Sequence, residues 1–354
     1  MAGQNVALVA GAGGIIGRAL VQFLAGTEGW RVLAFGRPDT QADEPADVTR
    51  IGADLLDAAK TREAIGRAAR GVTHLFYAAL APRPTLAEEA AANGAMLANL
   101  LDALRAEAAP LNRVVLYQGA KVYGVHLGPV TSPFYEDDAR HLPPNFYYTQ
   151  EDMLRARSAT DGFAWSILRP DVVIGDAAGN PMNIAAVIGA YAAICRAEGV
   201  PFRYPGSERA YRVLMQMTDA RLLAEASLWA ATSPRAAGEA FNLVNGDLFR
   251  WERLWPRLGR ALGLEVGPPM PLTLALHMAD KAPLWERLAR EHGLTGPAYE
   301  RLIGWGFGDF IFHTEFDVIS DMTKARRHGF RGTADTETTL LDAIARLRAR
   351  RIIP

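Results

Sequence analysis

The sequence predicts an α/β fold, in which a doubly wound parallel sheet carries a smaller, mostly helical C-terminal lobe. About half of the 354 residues are hydrophobic, which is enough to bury one large core. Over the first 120 residues, short β-rich runs alternate with helical patterns. Such βαβ units form a parallel sheet that helices cover on both faces. After Gly175, proline, glycine and aromatic residues become dense, which predicts a second lobe.

Seven strands are expected, each from a short run rich in β-branched and aromatic residues. They are VALVAG (6–11), RVLAFG (31–36), a short piece within 48–54, HLFYAAL (74–80), RVVLYQG (113–119), WSILRP (165–170) and AFNLVNG (240–246). Apolar residues at helical spacing predict helices in ALVQFLAG, AAKTREAIGRAAR and ANGAMLANLLDALRAEA, between the first five strands. The apolar run 183–195 is too short to span a bilayer and predicts a buried helix.

A glycine-rich turn, GAGGIIG (11–17), directly follows the first predicted strand and opens a helix. Glycines at such a turn let backbone amides approach a pyrophosphate at the positive end of the helix. In this context the motif predicts a Rossmann-type dinucleotide site. The cofactor-contacting residues of the turn are expected to be Gly11, Gly13, Gly14, Ile15, Ile16 and Gly17.

The end of the second strand bears on which cofactor is bound. Enzymes that prefer NAD usually place an acidic residue there, whereas Arg37 is the first side chain past this strand. A guanidinium suits a 2′-phosphate, so NADPH is predicted; a solvated loop arginine is the alternative. By their position at strand ends, further cofactor contacts are expected from Asp54, Leu55, Ala78, Ala79, Leu80, Gln118, Gly119, Arg169 and Val172.

These motifs suggest how the chain is divided. Residues 1–175 are expected to form the NADP-binding domain, with late strands near 210–250 returning to its sheet. Residues 176–210 and 250–335 are expected to form a substrate lobe that walls the cleft over the strand ends. Residues 336–354 are expected to form a C-terminal helix and tail.

Composition argues against several classes of protein. The formal net charge is −1 without a long basic run, so neither nucleic acid nor an anionic membrane surface is an expected partner. Cys195 is the one cysteine, which rules out an intramolecular disulfide and a cysteine-based zinc site. The seven histidines lack paired spacing, so no metal is expected. The N-terminus has no signal-like segment, and a cytoplasmic protein is predicted, with a homodimer left open.

Two stretches carry candidate catalytic groups. NFYYTQEDML (145–154) places two tyrosines at the start of a predicted helix, but acidic residues occupy the positions four residues after each tyrosine. YQGAKVYG (117–124) resembles the SSxxVYG strand end of extended short-chain dehydrogenases in its VYG tail, with Gly119 in place of the hydroxyl residue. Lys121 therefore becomes a candidate for the cation that would otherwise follow the tyrosine.

Several segments together are similar to the progesterone 5β-reductase/iridoid synthase-like (PRISE) family of atypical short-chain dehydrogenases/reductases. They are GAKVYG, NFYYTQED, WSILRP with IGDAAGNPMN, AYAAICRAEGVPFRYPG, FNLVNGDLFRW and SDMTKARRHGFRG. The resemblance implies NADPH-dependent 1,4-reduction of α,β-unsaturated carbonyl compounds, with a tyrosine and a lysine as the functional pair. The lysine would be Lys121. The tyrosine would be Tyr148, with Tyr147 as second choice.

Two other readings remain open at this point. One is a sugar epimerase or dehydratase, or a carbonyl reductase, of the extended short-chain type. The absent serine and the absent lysine after the tyrosine argue against it. The other is a non-catalytic NADP(H)-sensing regulator of the NmrA type, in which both tyrosines would be inert.

Overall fold

The fold is built on one seven-stranded sheet in which every neighbouring pair of strands is parallel. A computed structural model describes residues 4–38 and 44–354. The strands are β1 (Asn5–Ala10), β2 (Trp30–Gly36), β3 (Thr49–Gly52), β4 (His74–Tyr77), β5 (Arg113–Tyr117), β6 (Ala164–Pro170), β7 (Val173–Ile174), β8 (Thr218–Asp219) and β9 (Glu239–Leu243). The sheet order is β3-β2-β1-β4-β5-β6-β9, while β7 and β8 pair separately.

The predicted α/β class and all seven predicted strands are confirmed. The predicted runs at 74–80 and 113–119 extend past the strands that form, because the chain leaves the sheet after Tyr77 and Tyr117 to line its carboxyl edge. The two-residue strands β7 and β8 were not predicted, since a pair this short has no sequence period to detect.

Fourteen α-helices lie within the described ranges. They are α1 (Ile15–Ala25), α2 (Ala58–Ile65), α3 (Leu86–Ala106), α4 (Phe146–Asp161), α5 (Ile184–Glu198), α6 (Glu208–Arg212), α7 (Ala220–Thr232), α8 (Trp251–Ala261), α9 (Leu274–His277), α10 (Ala282–His292), α11 (Tyr299–Leu302), α12 (Trp305–Phe312), α13 (Thr323–Arg327) and α14 (Thr336–Ala349). Short 3₁₀ turns follow at Gly66–Gly71, Ala120–Tyr123, Pro234–Ala236 and Ala279–Lys281.

Helices cover both faces of the sheet, as a parallel sheet requires. Apolar residues of α1, α7 and α13 pack on one face, and those of α2, α3 and α4 pack on the other. A third apolar cluster joins α5 to α8, α12 and α14, with Trp251 and Trp255 at its centre. The predicted buried helix is α5, whose residues from Ile184 to Cys195 are all buried.

The two predicted parts of the chain interleave. Along the chain, α5, α6 and α7 precede β9, which belongs to the main sheet. The helix α14 packs against α5. The division into a cofactor domain and a substrate lobe stays a prediction. Across residues 4–38 and 44–354, no helix combines the length and apolar character needed to cross a membrane.

Candidate active site

The glycine turn lies between β1 and α1, at the point where the strand order reverses. Gly11 has φ +82°, and a β-carbon on it would stand 2.7 Å from the backbone of Ala78 beyond β4. A β-carbon on Gly17 would collide with the carbonyl oxygen of Gly11. Both positions therefore require glycine. Gly14 precedes α1, and no side chain among the described residues caps this helix, so its first amides face the crevice without a side-chain acceptor.

Other predicted cofactor residues line this crevice. Ala78, Ala79 and Leu80 follow β4 next to Gly11 and are partly exposed. Gly13 is also partly exposed within the turn, and Ile16 packs partly against the core on the first face of the sheet. The side chain of Ile15 instead packs against Gly175 and Ala220, which leaves its backbone amide as its means of reaching a ligand.

The predicted cofactor residues that follow β2 and β3 lie farther along the same edge. Arg37 follows β2 and is exposed. Asp54 follows β3, and its carboxylate accepts a hydrogen bond from the Leu56 amide over 3.0 Å, while Leu55 is buried. The three residues share the carboxyl edge of the sheet with the glycine turn, because parallel strands all end there.

The hydroxyl of Tyr148 is occupied by backbone groups. It donates to the carbonyl of Val122 over 2.7 Å and accepts from the amide of His141 over 2.9 Å. The ring is buried, with the guanidinium of Arg140 packed 4.9 Å from its centre. These contacts tie α4 to the loop between β5 and α4, and they give the Tyr148 hydroxyl a structural partner on each side.

The hydroxyl of Tyr147 lies beyond the ends of β5 and β6. A β-carbon on Gly119 would stand 3.1 Å from this hydroxyl and 3.6 Å from the carbonyl oxygen of Pro170. Within the described chain, the Tyr147 hydroxyl makes no hydrogen bond. Burial and the charges of Glu89 and Asp171 raise the pKa of Tyr147, so the phenol is protonated at neutral pH. It is therefore a free hydrogen-bond donor at the strand ends.

Asn145 joins Tyr147 to the predicted lysine. Its side-chain oxygen accepts from the Tyr147 amide over 2.9 Å and caps α4, while its side-chain nitrogen donates to the Lys121 carbonyl over 3.0 Å. The ammonium of Lys121 forms no hydrogen bond or ion pair with the part of the chain that the structure describes. Burial of His126 is the main cause that lowers the pKa of this histidine, and the positive charge of Lys121 lowers it further. One buried asparagine thus fixes the backbone of both candidate groups.

A buried polar cluster of Gln118, Glu151 and Arg169 lies behind the tyrosine. Gln118 donates to Glu151 over 3.0 Å and to the Tyr147 carbonyl over 3.2 Å, and it accepts from Arg169 over 2.9 Å. Arg169 also lies 3.5 Å from Glu151. Although burial opposes ionisation, hydrogen bonds from Gln118 and Arg155 and the charge of Arg169 lower the pKa of Glu151. The side chains of Gln118 and Arg169, both predicted to contact the cofactor, are engaged within this cluster.

The last predicted cofactor residue, Val172, is buried, and its amide donates to Asp171 over 2.8 Å. Sequence reasoning did not single out Asp171, Glu89 or Asn145. A carboxylate directly after a buried strand could have indicated Asp171, and an asparagine ahead of a helix is a cap signal that could have indicated Asn145. Glu89 carries no such signal, because only the packing of α3 on α4 brings it near Tyr147.

An open parallel sheet whose order reverses at β1 and β4, with a glycine cradle at that point, defines a dinucleotide-binding Rossmann fold. The sequence pattern of the PRISE-like Rossmann-fold domain matches residues 43–354, and the chain belongs to this family. The resemblance drawn from the motifs is thereby confirmed.

Similar proteins cover nearly the whole chain. An (S)-8-oxocitronellyl enol synthase from Camptotheca acuminata is 38% identical over 99% of this chain and 94% of its own length. A 3-oxo-Δ4,5-steroid 5β-reductase from Arabidopsis thaliana is 36% identical over the same shares. The UDP-glucose 4-epimerase of Thermotoga maritima superposes with a TM-score of 0.69 at 16% identity, covering 97% of this chain and 99% of its own, which shows a shared fold.

Proposed function

We propose that this protein is an NADPH-dependent reductase of carbon–carbon double bonds conjugated to a carbonyl group. The observation that carries the proposal is the protonated Tyr147 hydroxyl, which has no partner among the described residues and lies at the carboxyl edge beside Gly119. The names of the relatives support it. A 3-oxo-Δ4,5-steroid 5β-reductase, by its name, reduces a ring alkene next to a 3-oxo group.

The glycine turn fits a dinucleotide. Side chains are absent where Gly11, Gly14 and Gly17 approach neighbouring backbone, and no side chain in the described part of the protein caps the amides at the start of α1. These amides would hold the pyrophosphate, and Arg37 would pair with a 2′-phosphate. Ala78 to Leu80 would border the cofactor beside the turn. When bound, the nicotinamide supplies the hydride that the β-carbon of the substrate receives.

Tyr147 would supply the electrophilic contact. As a protonated phenol it donates to the substrate carbonyl, and the hydrogen bond strengthens as negative charge develops on that oxygen. Removing one donor of this kind typically costs ~3 kcal/mol of barrier. We assign this role to Tyr147 in preference to Tyr148, because the Tyr148 hydroxyl already bonds Val122 and His141.

Lys121 would add a positive charge to the same pocket. The Asn145 side chain forms hydrogen bonds with the Lys121 carbonyl and with the Tyr147 amide. It therefore fixes the backbone from which both side chains extend. A nearby ammonium stabilises a developing enolate without transferring a proton. This arrangement explains how the site dispenses with both the strand-end serine and the lysine of the conventional helix position.

NADPH and NADH oxidation, followed by absorbance with matched panels of enones, enals and saturated ketones, tests the proposal. We expect oxidation of NADPH with enones or enals and little with saturated ketones. Lys121→Ala is expected to lower kcat with little change in NADPH affinity. Lys281→Ala serves as the matched control, because Lys281 is partly exposed and forms an ion pair with Glu198 in the predicted C-terminal lobe.

Two outcomes would contradict the proposal. Oxidation with ketones alone would indicate a 1,2-carbonyl reductase. NADPH binding without oxidation by any compound, together with unaltered binding in Tyr147→Phe, would favour a cofactor-sensing regulator. Homodimeric assembly and a cytoplasmic location stay predictions, to be checked by light scattering of the purified protein and by fractionation of its host cells.

A further inference from the structure

Asp171, whose charge acts on Tyr147, has one carboxyl oxygen without a hydrogen-bond partner among the described residues. It follows the last residue of β6, and its amide donates to the Thr218 hydroxyl over 3.2 Å. Its Oδ1 accepts from the Val172 amide over 2.8 Å. Its Oδ2 is buried and has no hydrogen-bond partner within residues 4–38 and 44–354. A buried polar atom without a partner is costly, and it commonly indicates a group that acts on a ligand or reaction.

Asp171 lies in the chain directly after a residue that is close to Tyr147. The Pro170 carbonyl, which precedes Asp171, and the Tyr147 hydroxyl both lie within 3.6 Å of the point that a Gly119 β-carbon would occupy. The charges of Asp171 and of Glu89 on α3 both act on Tyr147. The cationic residue Lys121 lies in the 3₁₀ turn that directly follows Gly119. Burial raises the pKa of Asp171 to about 7, so much of it carries a proton at neutral pH.

We propose that Asp171 is a catalytic acid, which delivers the proton that the α-carbon of the substrate takes up after reduction. This role deepens the proposed function and rests on it. The Asp171 amide donates to the Thr218 hydroxyl and Oδ1 accepts from the Val172 amide, so both hydrogen bonds fix the carboxyl group. Oδ2 is left as the atom that carries the transferable proton. Proton transfer from a positioned acid typically contributes 10²–10⁴-fold to rate.

A hydride adds to the β-carbon, and the electron pair of the carbon–carbon double bond moves to give an enolate whose oxygen accepts from Tyr147. The enolate carbonyl reforms as the α-carbon takes the proton from Oδ2, which breaks the O–H bond and leaves Asp171 ionised. A proton from the solvent restores the carboxyl group between turnovers. Each turnover therefore consumes one hydride from the reduced nicotinamide and one solvent proton, and the product gains the hydride at the β-carbon and the proton at the α-carbon.

The test measures the stereochemistry of labelling at the α-carbon. An α-substituted enone is reduced in D₂O by wild type, by Asp171→Asn and by the matched control Glu89→Gln, which alters the other carboxylate near Tyr147. We expect wild type and Glu89→Gln to add deuterium to one face. Asp171→Asn keeps the Oδ1 contact to Val172 but has no acid, so its deuterium is expected on both faces. We expect its kcat to fall at least tenfold, with NADPH affinity unchanged.

The pH profile gives a second readout. Wild-type kcat is expected to fall above about pH 7, as Asp171 ionises, and this alkaline limb is expected to disappear in Asp171→Asn. If Asp171→Asn keeps both the activity and the single-face labelling of wild type, the role of Asp171 is overturned while the proposed function stands. Loss of single-face labelling in Glu89→Gln only would likewise overturn that role. A wild type that reduces no conjugated alkene would overturn both proposals together.

Discussion

The hydroxyl of Tyr147 lies 3.1 Å from the point that a β-carbon on Gly119 would occupy. A side chain at this position must therefore displace the tyrosine by a few tenths of an ångström. We expect Gly119→Ala to lower kcat by about tenfold, because small misplacements of a catalytic group are costly in rate. Stability should change by less than ~1 kcal/mol, since the displaced atom is the end of a side chain. Steady-state kinetics and thermal melting measure both.

Gly306→Ala is the control for this substitution. A β-carbon on Gly306, in α12, meets no atom of the described residues within 4 Å, so activity should be unchanged. If Gly119→Ala retains full kcat, the Tyr147 hydroxyl is free to shift, and its fixed position has no catalytic value.

The two adjacent tyrosines should give opposite phenotypes when each is replaced by phenylalanine. Tyr147→Phe removes a hydroxyl without a described partner, so kcat should fall by about 10²–10³-fold with stability nearly unchanged. Tyr148→Phe leaves the Val122 carbonyl and the His141 amide without a partner, which should cost ~1–3 kcal/mol of unfolding free energy. Its kcat at low temperature should stay within about threefold of wild type. The reverse pattern would assign the chemistry to Tyr148.

The glycine turn predicts a contrast between the two ends of α1. A β-carbon on Gly17 would collide with backbone atoms of the turn, which cannot give way as a side chain can. Gly17→Ala should therefore destabilise the protein by ~1–3 kcal/mol and weaken NADPH binding. Gly26→Ala, at the other end of α1, would contact nothing closer than 3.7 Å and should be neutral. Equal NADPH affinity in both variants, measured by fluorescence titration, would contradict a pyrophosphate site at this turn.

Arg37 should decide between the two nicotinamide cofactors. Its side chain is exposed next to the predicted adenosine end of the crevice. Loss of one charge-assisted hydrogen bond to a 2′-phosphate costs ~1.5–3 kcal/mol. Arg37→Ala should accordingly raise the KM for NADPH by about 10–100-fold and leave the KM for NADH unaltered. A parallel rise in both KM values, or equal wild-type rates with both cofactors, would remove this role.

From the sequence, the fold could be predicted in more detail than the orientation of the candidate catalytic side chains. Strands β1 to β6 and β9 were recognisable because each is a short apolar run bounded by glycine or polar residues. Consecutive helical residues point about 100° apart, so one tyrosine faces the sheet edge and the other the loop before α4. The sequence favoured Tyr148 from its spacing to Asp152, but spacing alone does not determine which tyrosine faces the site.

The sequence also could not predict which side chains form hydrogen bonds with partners far away along the chain. Gln118 and Arg169 end adjacent strands, which made cofactor contact a reasonable expectation for both. The Gln118 side chain instead bonds Glu151, 33 residues farther along the chain, and Arg169, which is 51 residues away. Which strand-end side chains turn inward depends on the register between β5, β6 and α4, and a single sequence carries no signal for it.

Asp171 should make stability depend on pH in an unusual direction for a carboxylate. Burial raises its pKa in the folded protein to about 7, whereas the ordinary value is 3.8. The folded protein therefore binds more protons than the unfolded chain between these values, and stability falls as pH rises from about 4 to about 7. Relative to wild type, Asp171→Asn should gain on the order of 1–4 kcal/mol over this range.

Urea denaturation at intervals between pH 4 and pH 8 measures this gain, and subtracting the wild-type curve cancels the titration of other groups. Asp280→Asn, at an exposed position, should give a flat difference curve. A flat curve for Asp171→Asn as well would mean that the Asp171 carboxyl ionises as it does in water. Its Oδ2 would then hold no proton at neutral pH, and the acid that protonates the substrate would have to be sought elsewhere in the pocket.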